Sequence, residues 1–167
     1  MIRKSRGIGK WLLSLLVTVL ITLLILNNCF QLVRTQGSSM EPTLADGDIL
    51  ILNKLTAWKP GDIVAFSHAS RGDMLIKRLI GVPGDELKIQ NGNVYRNGQT
   101  LKEPYIKGTT ETTREMISLP VGCCFVMGDN RPVSQDSRHE GVGLGAVEQI
   151  SGIITARIWP LDKFTVF

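Results

Sequence analysis

The chain has 167 residues, 43% of them hydrophobic and 20% charged, which suits an anchor plus one domain and excludes a disordered or collagen-like chain. The net charge of +4 is concentrated at one end: removing Arg3, Lys4, Arg6 and Lys10 from the 19 basic residues leaves 15 against 15 acidic ones. A nucleic-acid partner, which calls for a basic face, is therefore not expected.

The first element is the run WLLSLLVTVLITLLIL (11–26), which carries no charge. Its polar members Ser14, Thr18 and Thr22 can bond back to helix carbonyls, and extension through Phe30 approaches the length that crosses a bilayer. A cleaved signal peptide is the rival reading, but NNCFQLVRTQG offers no A-x-A-like site. Four cations before the run and only Arg34 soon after it place the N-terminus in the cytoplasm. The expected organisation is a cytoplasmic tail (1–10), a single-pass anchor in the lipid bilayer (11–30) and an extracytoplasmic domain (31–167).

Short strands and turns follow. DILILNKL and PGDIVAFSH read as strands, DMLIKRLIGV as an apolar strand with two central cations, and DELKIQNGNVYRNGQTL as strands joined at two Asn-Gly turns. Gly-Asp pairs recur at 47–48, 61–62, 72–73, 84–85 and 128–129 as turn chemistry. The segment KGTTETTR (107–114) reads as a mobile surface loop. GCCFVMGDN and AVEQISGIITARIWPL supply the last strands. Cys123 and Cys124 read as small buried side chains in a strand, and three cysteines make no disulfide framework. The expected fold is mostly β, an antiparallel, barrel-like domain behind one N-terminal transmembrane helix. No Cys/His spacing suggests a metal, and the glycines at 141, 143 and 145 lack the context of a dinucleotide loop, so no cofactor is expected.

Two residues carry candidate chemistry. Ser39, in QGSSMEPTLADGD (36–48), follows a flexible Gly37 and precedes a stiffening Pro42. Such a turn can present a nucleophile and aim backbone N–H groups at an oxyanion, or simply be a polar turn. Lys77 neighbours Arg78 in an apolar strand, so the two point to opposite faces and one can be buried. Burial lowers a lysine pKa and makes a general base; a snorkelling surface lysine is the plainer alternative. Together they form a serine–lysine pair. His68 and His139 have no carboxylate at a recognisable spacing for a triad. MGDNRPVSQDSRHEGVG (127–143) adds hydrogen-bonding groups, among which Asp136 and Arg138 can pair.

GSSMEPTL, GDIVAF, KRLIGVPGD and GDNRPVSQDSR, in this order and at these distances, resemble the boxes of bacterial type I signal peptidases in their compact Gram-positive form. The resemblance implies a serine endopeptidase that removes signal peptides from secretory preproteins by a Ser–Lys dyad, cutting after small residues at −1 and −3. It implies Ser39 as nucleophile, Lys77 as general base, Ser134 as a positioner of the amine, and Asp136 and Arg138 as a supporting ion pair. Met40, Leu44, Leu75 and Ile76 would line the substrate pockets. Gram-negative members have a serine where this chain has Gly37, so the oxyanion hole would rest on the Ser39 N–H, with a water and the Ser38 hydroxyl as alternatives for completing it. The alternative function is a signal-peptidase-like assembly factor for surface fibres (pili) acting without proteolysis, though such a protein would be expected to lose the serine or the lysine.

Overall fold

The computed structural model describes residues 5–67, 74–111 and 113–167, with side chains from residue 8 onward. Arg3, Lys4, His68 and the Gly72–Asp73 turn lie outside the described residues. Helix α1 (Ser5–Cys29) contains a stretch, Ile8–Cys29, long and apolar enough to cross a membrane. Its 22 residues span about 33 Å at ~1.5 Å per residue. Thr18 and Thr22 donate to the carbonyls of Ser14 and Thr18, which lets hydroxyls sit in an apolar helix. The helix passes without a loop into strand β1 (Phe30–Arg34), so Phe30, counted above with the apolar run, opens the sheet.

The remaining strands are β2 (Ile49–Asn53), β3 (Ile63–Ser67), β4 (Met74–Gly81), β5 (Glu86–Gln90), β6 (Asn93–Arg96), β7 (Gln99–Thr100), β8 (Arg114–Ser118), β9 (Cys123–Met127), β10 (Gly145–Ala146), β11 (Ile150–Trp159) and β12 (Thr165–Val166). They form a mostly antiparallel β domain, as the sequence led us to expect. The main sheet runs β1-β2-β11-β3-β4-β9-β10, with β12 on β11, and a smaller sheet runs β7-β6-β5-β8. β11 is bulged against both β2 and β3, which adds the local bend a curling sheet needs. The two Asn-Gly turns close two-residue hairpins between β5 and β6 and between β6 and β7. Asn91, Gly92, Asn97 and Gly98 all have positive φ, as a type I′ turn demands.

The main sheet is covered on both faces. In β3, Ile63 and Ala65 pack with Met40, Leu44, Leu50, Leu52 and Ile154, while Val64 and Phe66 pack with Leu79, Cys124 and Val126. A third cluster, including Leu87, Ile89, Phe125 and Met127, joins the two sheets. Cys124 belongs to this interior, and burial pushes its thiol up to about 11. Residues 107–114, expected as a mobile surface loop, lie mostly at the surface, and the segment is tied to the domain at several points. Lys107 forms a parallel bridge with Asn130, Thr110 is buried and accepts from Arg131 Nη1 at 2.7 Å, and Arg114 begins β8, although Thr112 lies outside the described residues. Thr109, Glu111 and Thr113 are exposed, as a surface stretch should be, while Thr110 turns inward to Arg131.

Leu52 is fully buried in the cluster beneath Met40 and Leu44. Leu52→Ala should lower unfolding free energy by about 2–5 kcal/mol in denaturant titration, with the shortfall appearing as a lower midpoint at unchanged slope.

Candidate active site

The turn that carries Ser39 is fixed from both ends. Thr35 donates through its amide to Asp48 O at 2.9 Å and accepts on its carbonyl from Gly47 N at 3.1 Å. Gly37 takes φ +78°, which its lack of a Cβ permits, and donates to Asp46 Oδ1 at 2.8 Å. Beyond Ser39, Leu44 N donates to Met40 O at 2.9 Å, a single helical turn that sends both side chains into the core. The buried Asp48 carboxylate takes hydrogen bonds from Ala45 N and Arg157 Nη1, each at 2.9 Å. Ser39 is left half-buried at the corner.

Lys77 and Arg78 are adjacent in β4, and their side chains go to separate partners. Sequence suggested that one would be buried; both are, at 3% and 9% exposure. Lys77 Nζ hydrogen-bonds Ser39 Oγ at 2.6 Å. Burial lowers the Lys77 pKa from 10.5 to about 8, opposed by the charges of Asp136 and Asp129 and assisted by Arg138. Arg78 instead donates from Nε and Nη2 to Asp129 at 2.9 and 2.7 Å, and from Nη1 to Gly61 O at 2.7 Å. The Tyr105 ring stacks on its guanidinium, 3.8 Å from carbon to centroid.

Asp136 and Arg138 form the expected ion pair, Nε to Oδ1 at 2.8 Å and Nη2 to Oδ2 at 2.9 Å, and Gly128 N adds a bond to Oδ2 at 2.9 Å. Burial alone would raise the Asp136 carboxyl; Arg138 and the Gly128 N–H outweigh it and hold it below the usual carboxylate range. Ser134 is buried close to this carboxyl and favours its ionised form, but its Oγ makes no well-formed hydrogen bond, and none to Lys77. It lies instead against Gly128, where an added Cβ would collide with Ser134 Oγ and the Ser39 carbonyl. His139 sits beside Asp136, its Nδ1 accepting from the Asp136 amide at 3.4 Å, and among the described residues no serine hydroxyl bonds it.

Three residues to which sequence reasoning gave no role at the site tie the boxes together. Asp129, wholly buried, accepts from Thr43 Oγ1 as well as from Arg78, and so joins the Ser39 turn to β4. Asn130 donates from its amide to Ser39 O and from Nδ2 to Ser38 O, both at 3.0 Å. Gly128 supplies the room described above. The signal for them was the Gly-Asp-Asn-Arg run itself, but the hydrogen-bond partners of Asp129 and Asn130 described above are 51 to 92 positions away in the chain and had no signature of their own.

Ser39 and Lys77 face a cleft of about 500 Å³. Met40, Leu44, Leu75 and Ile76, the four expected substrate contacts, all line it. One wall is β1, whose outer edge has no partner strand among the described residues. The other is the first half of β4, Met74–Lys77, which among the described residues pairs with β3 on one side only, because β9 begins its pairing at Arg78. Two open strand edges thus flank the Ser39–Lys77 pair.

Comparison with known proteins gives the arrangement a family. Residues 8–159 match the family described as signal peptidase, peptidase S26. The chain is 35% identical over 164 residues to signal peptidase I P of Bacillus subtilis subsp. natto, covering 90% of this chain and 88% of that protein. It is 32% identical over 182 residues to signal peptidase IB of Staphylococcus aureus strain COL, covering 96% and 94% respectively. A crystal structure of a signal peptidase I from Enterococcus faecalis V583 matches with a TM-score of 0.50 and 31% identity over 60% of this chain and 98% of that one. The chain therefore belongs to the signal peptidase I family of serine peptidases, S26.

Proposed function

We propose that this protein removes signal peptides from secretory preproteins with a Ser39–Lys77 dyad, cutting after small residues at −1 and −3. The observation that carries the reading is the 2.6 Å contact between Ser39 Oγ and an almost fully buried Lys77 amine whose pKa is lowered to about 8. Neutral Lys77 takes the Ser39 proton as Oγ bonds to the carbonyl carbon of the −1 residue. The Ser39 N–H, which no acceptor takes among the described residues, receives the oxyanion. The C–N bond then breaks, Lys77 gives its proton to the leaving amine, and the signal peptide stays as an ester on Ser39. Water attacks that ester, Lys77 takes its proton and returns it to Ser39 Oγ, and the signal peptide leaves with a free carboxylate.

Ser134 offers its unpaired hydroxyl to the lysine amine, and the Asp136–Arg138 pair fixes the loop that carries Ser134. The substrate lies extended in the cleft, its backbone pairing with the free edges of β1 and β4, as an added strand does. Met40, Leu44, Leu75 and Ile76 shape the −1 and −3 pockets, whose packed floor of Met40 and Leu44 favours small side chains. The apolar helix, which ends at Cys29, anchors the enzyme in the bilayer, with the N-terminal tail cytoplasmic and the β domain from Phe30 onward outside, in line with the four cations in residues 1–10.

Three outcomes test this reading. Ser39→Ala should abolish cleavage of a preprotein bearing an Ala-x-Ala site while leaving the melting temperature close to that of the parent; cleavage above background removes Ser39 from the role. The pH profile of kcat/KM should fall below about pH 8, tenfold per unit as Lys77 protonates; Lys77→Arg, permanently charged, should be inactive at every pH. Lys77 also costs stability. Its folded pKa lies below the unfolded value, so the unfolded chain binds more protons between about pH 8 and 10.5, and stability rises with pH across that window. Lys77→Met should therefore be inactive yet about 1–3 kcal/mol more stable at pH 7 by denaturant titration, and a loss of stability there would contradict the burial argument.

A further inference from the structure

We propose that Asn130 is a positioning residue for the oxyanion site: its side-chain amide sets the direction of the Ser39 N–H. The inference rests on the Ser39–Lys77 reading and names the group that aims its one backbone donor.

A trans peptide is planar, and its C=O and N–H point in opposite directions. The Ser38 carbonyl and the Ser39 N–H belong to the same peptide, so whatever holds the one aims the other. Asn130 Nδ2 donates to Ser38 O at 3.0 Å, and Glu41 N approaches the same oxygen at 3.2 Å. The carbonyl is thereby drawn toward the Gly-Asp-Asn-Arg segment and the Ser39 N–H is turned away from it. No acceptor among the described residues takes that N–H, and Ser39 lines the cleft. Because Ser38 O can only accept, the amide of Asn130 must present its NH₂ there. The Asn130 amide separately donates to Ser39 O at 3.0 Å, so the peptides on both sides of the Ser39 Cα are pinned by one residue.

Asn130 is itself held firmly enough to act as a reference. It is 6% exposed, its backbone forms a parallel bridge with Lys107, and its carbonyl accepts from Val133 N and Ser134 N. Removing its side chain leaves the backbone bond to Ser39 O and the Glu41 bond to Ser38 O in place. The Ser39 turn therefore stays folded, while the Ser38–Ser39 peptide loses the shorter of its two restraints and can tilt its N–H off the developing oxyanion. A donor matters most where charge develops, so the loss belongs to the transition state rather than to substrate binding.

The test uses the full chain in detergent micelles, a quenched Ala-x-Ala peptide as substrate and a peptide boronate, whose tetrahedral adduct with Ser39 places an oxygen at the oxyanion position. Asn130→Ala should lower kcat by about 10–100-fold with KM within about twofold, and raise the boronate Ki by a similar factor. The acid limb of the pH profile should stay at its parental position, since Lys77 is untouched. Asn130→Asp keeps the shape and loses the donor; it should show the same loss of kcat and of boronate affinity, and serves if the alanine variant does not fold. A kcat within about twofold of the parent, or a loss confined to KM, overturns the proposal, as does an acid limb that moves in Asn130→Ala while boronate affinity holds. Ser39→Ala is run beside them. If it still cleaves, the dyad reading fails; if it is dead while the Asn130 variants behave as the parent, only the role of Asn130 fails.

Discussion

A buried amine is at odds with its own charge, and the surroundings of Ser39 follow from how that conflict is met. Lys77 sits 3% exposed in the middle of β4 and has a serine hydroxyl at 2.6 Å as its hydrogen-bond partner. Water would solvate the ammonium and restore an ordinary pKa; burial in the folded domain withholds it. The main sheet covers both its faces so that β4 can be dry at this point, and the Ser39 turn is fastened at Thr35, Asp46 and Asp48 so that the hydroxyl stays within reach.

Carboxylates close by would undo this effect if their charge were free. Asp129 and Asp136 both act to raise the Lys77 pKa, and each is buried. Each is also paired in bidentate fashion with its own guanidinium, Arg78 for Asp129 and Arg138 for Asp136. A third buried pair, Glu103 with Arg131, braces the segment that follows Asn130. Burial therefore remains the largest influence on Lys77, while the paired carboxylates remain available as anchors for Thr43 and Gly128.

Local chemistry made part of this legible in sequence. The Asn-Gly turns declare themselves because only a few residues tolerate the backbone they need, and they appear where expected between β5, β6 and β7. The apolar run and the alternating strands are similarly local. β1 escaped notice because FQLVR follows the apolar helix with no turn between them, and β8 because REMIS has no clear alternation or flanking turn. Ser39 and Lys77 stood out from their local surroundings, a tight turn and an apolar strand, and the resemblance of whole boxes then gave each a role. What could not be read was which groups pair: Asp129 reaches Thr43 and Arg78, Asn130 reaches Ser38 and Ser39, and Gly128 makes room for Ser134. Those choices belong to the folded chain, and no spacing in the sequence encodes them.

The passage from α1 to β1 has no hinge. Cys29 is the last helical residue, Phe30 the first of the strand, and Lys54 N donates to Cys29 O at 2.9 Å to tie the junction to the sheet. β1 is also a wall of the cleft, and five residues of strand rise about 17 Å. On the membrane placement proposed above, a helix joined in this way would act as a depth gauge. It would set the height of the proposed cutting point above the lipid by covalent geometry, so that a chain emerging beside it would be selected by how far its scissile bond stands from the membrane as well as by the side chains that flank it.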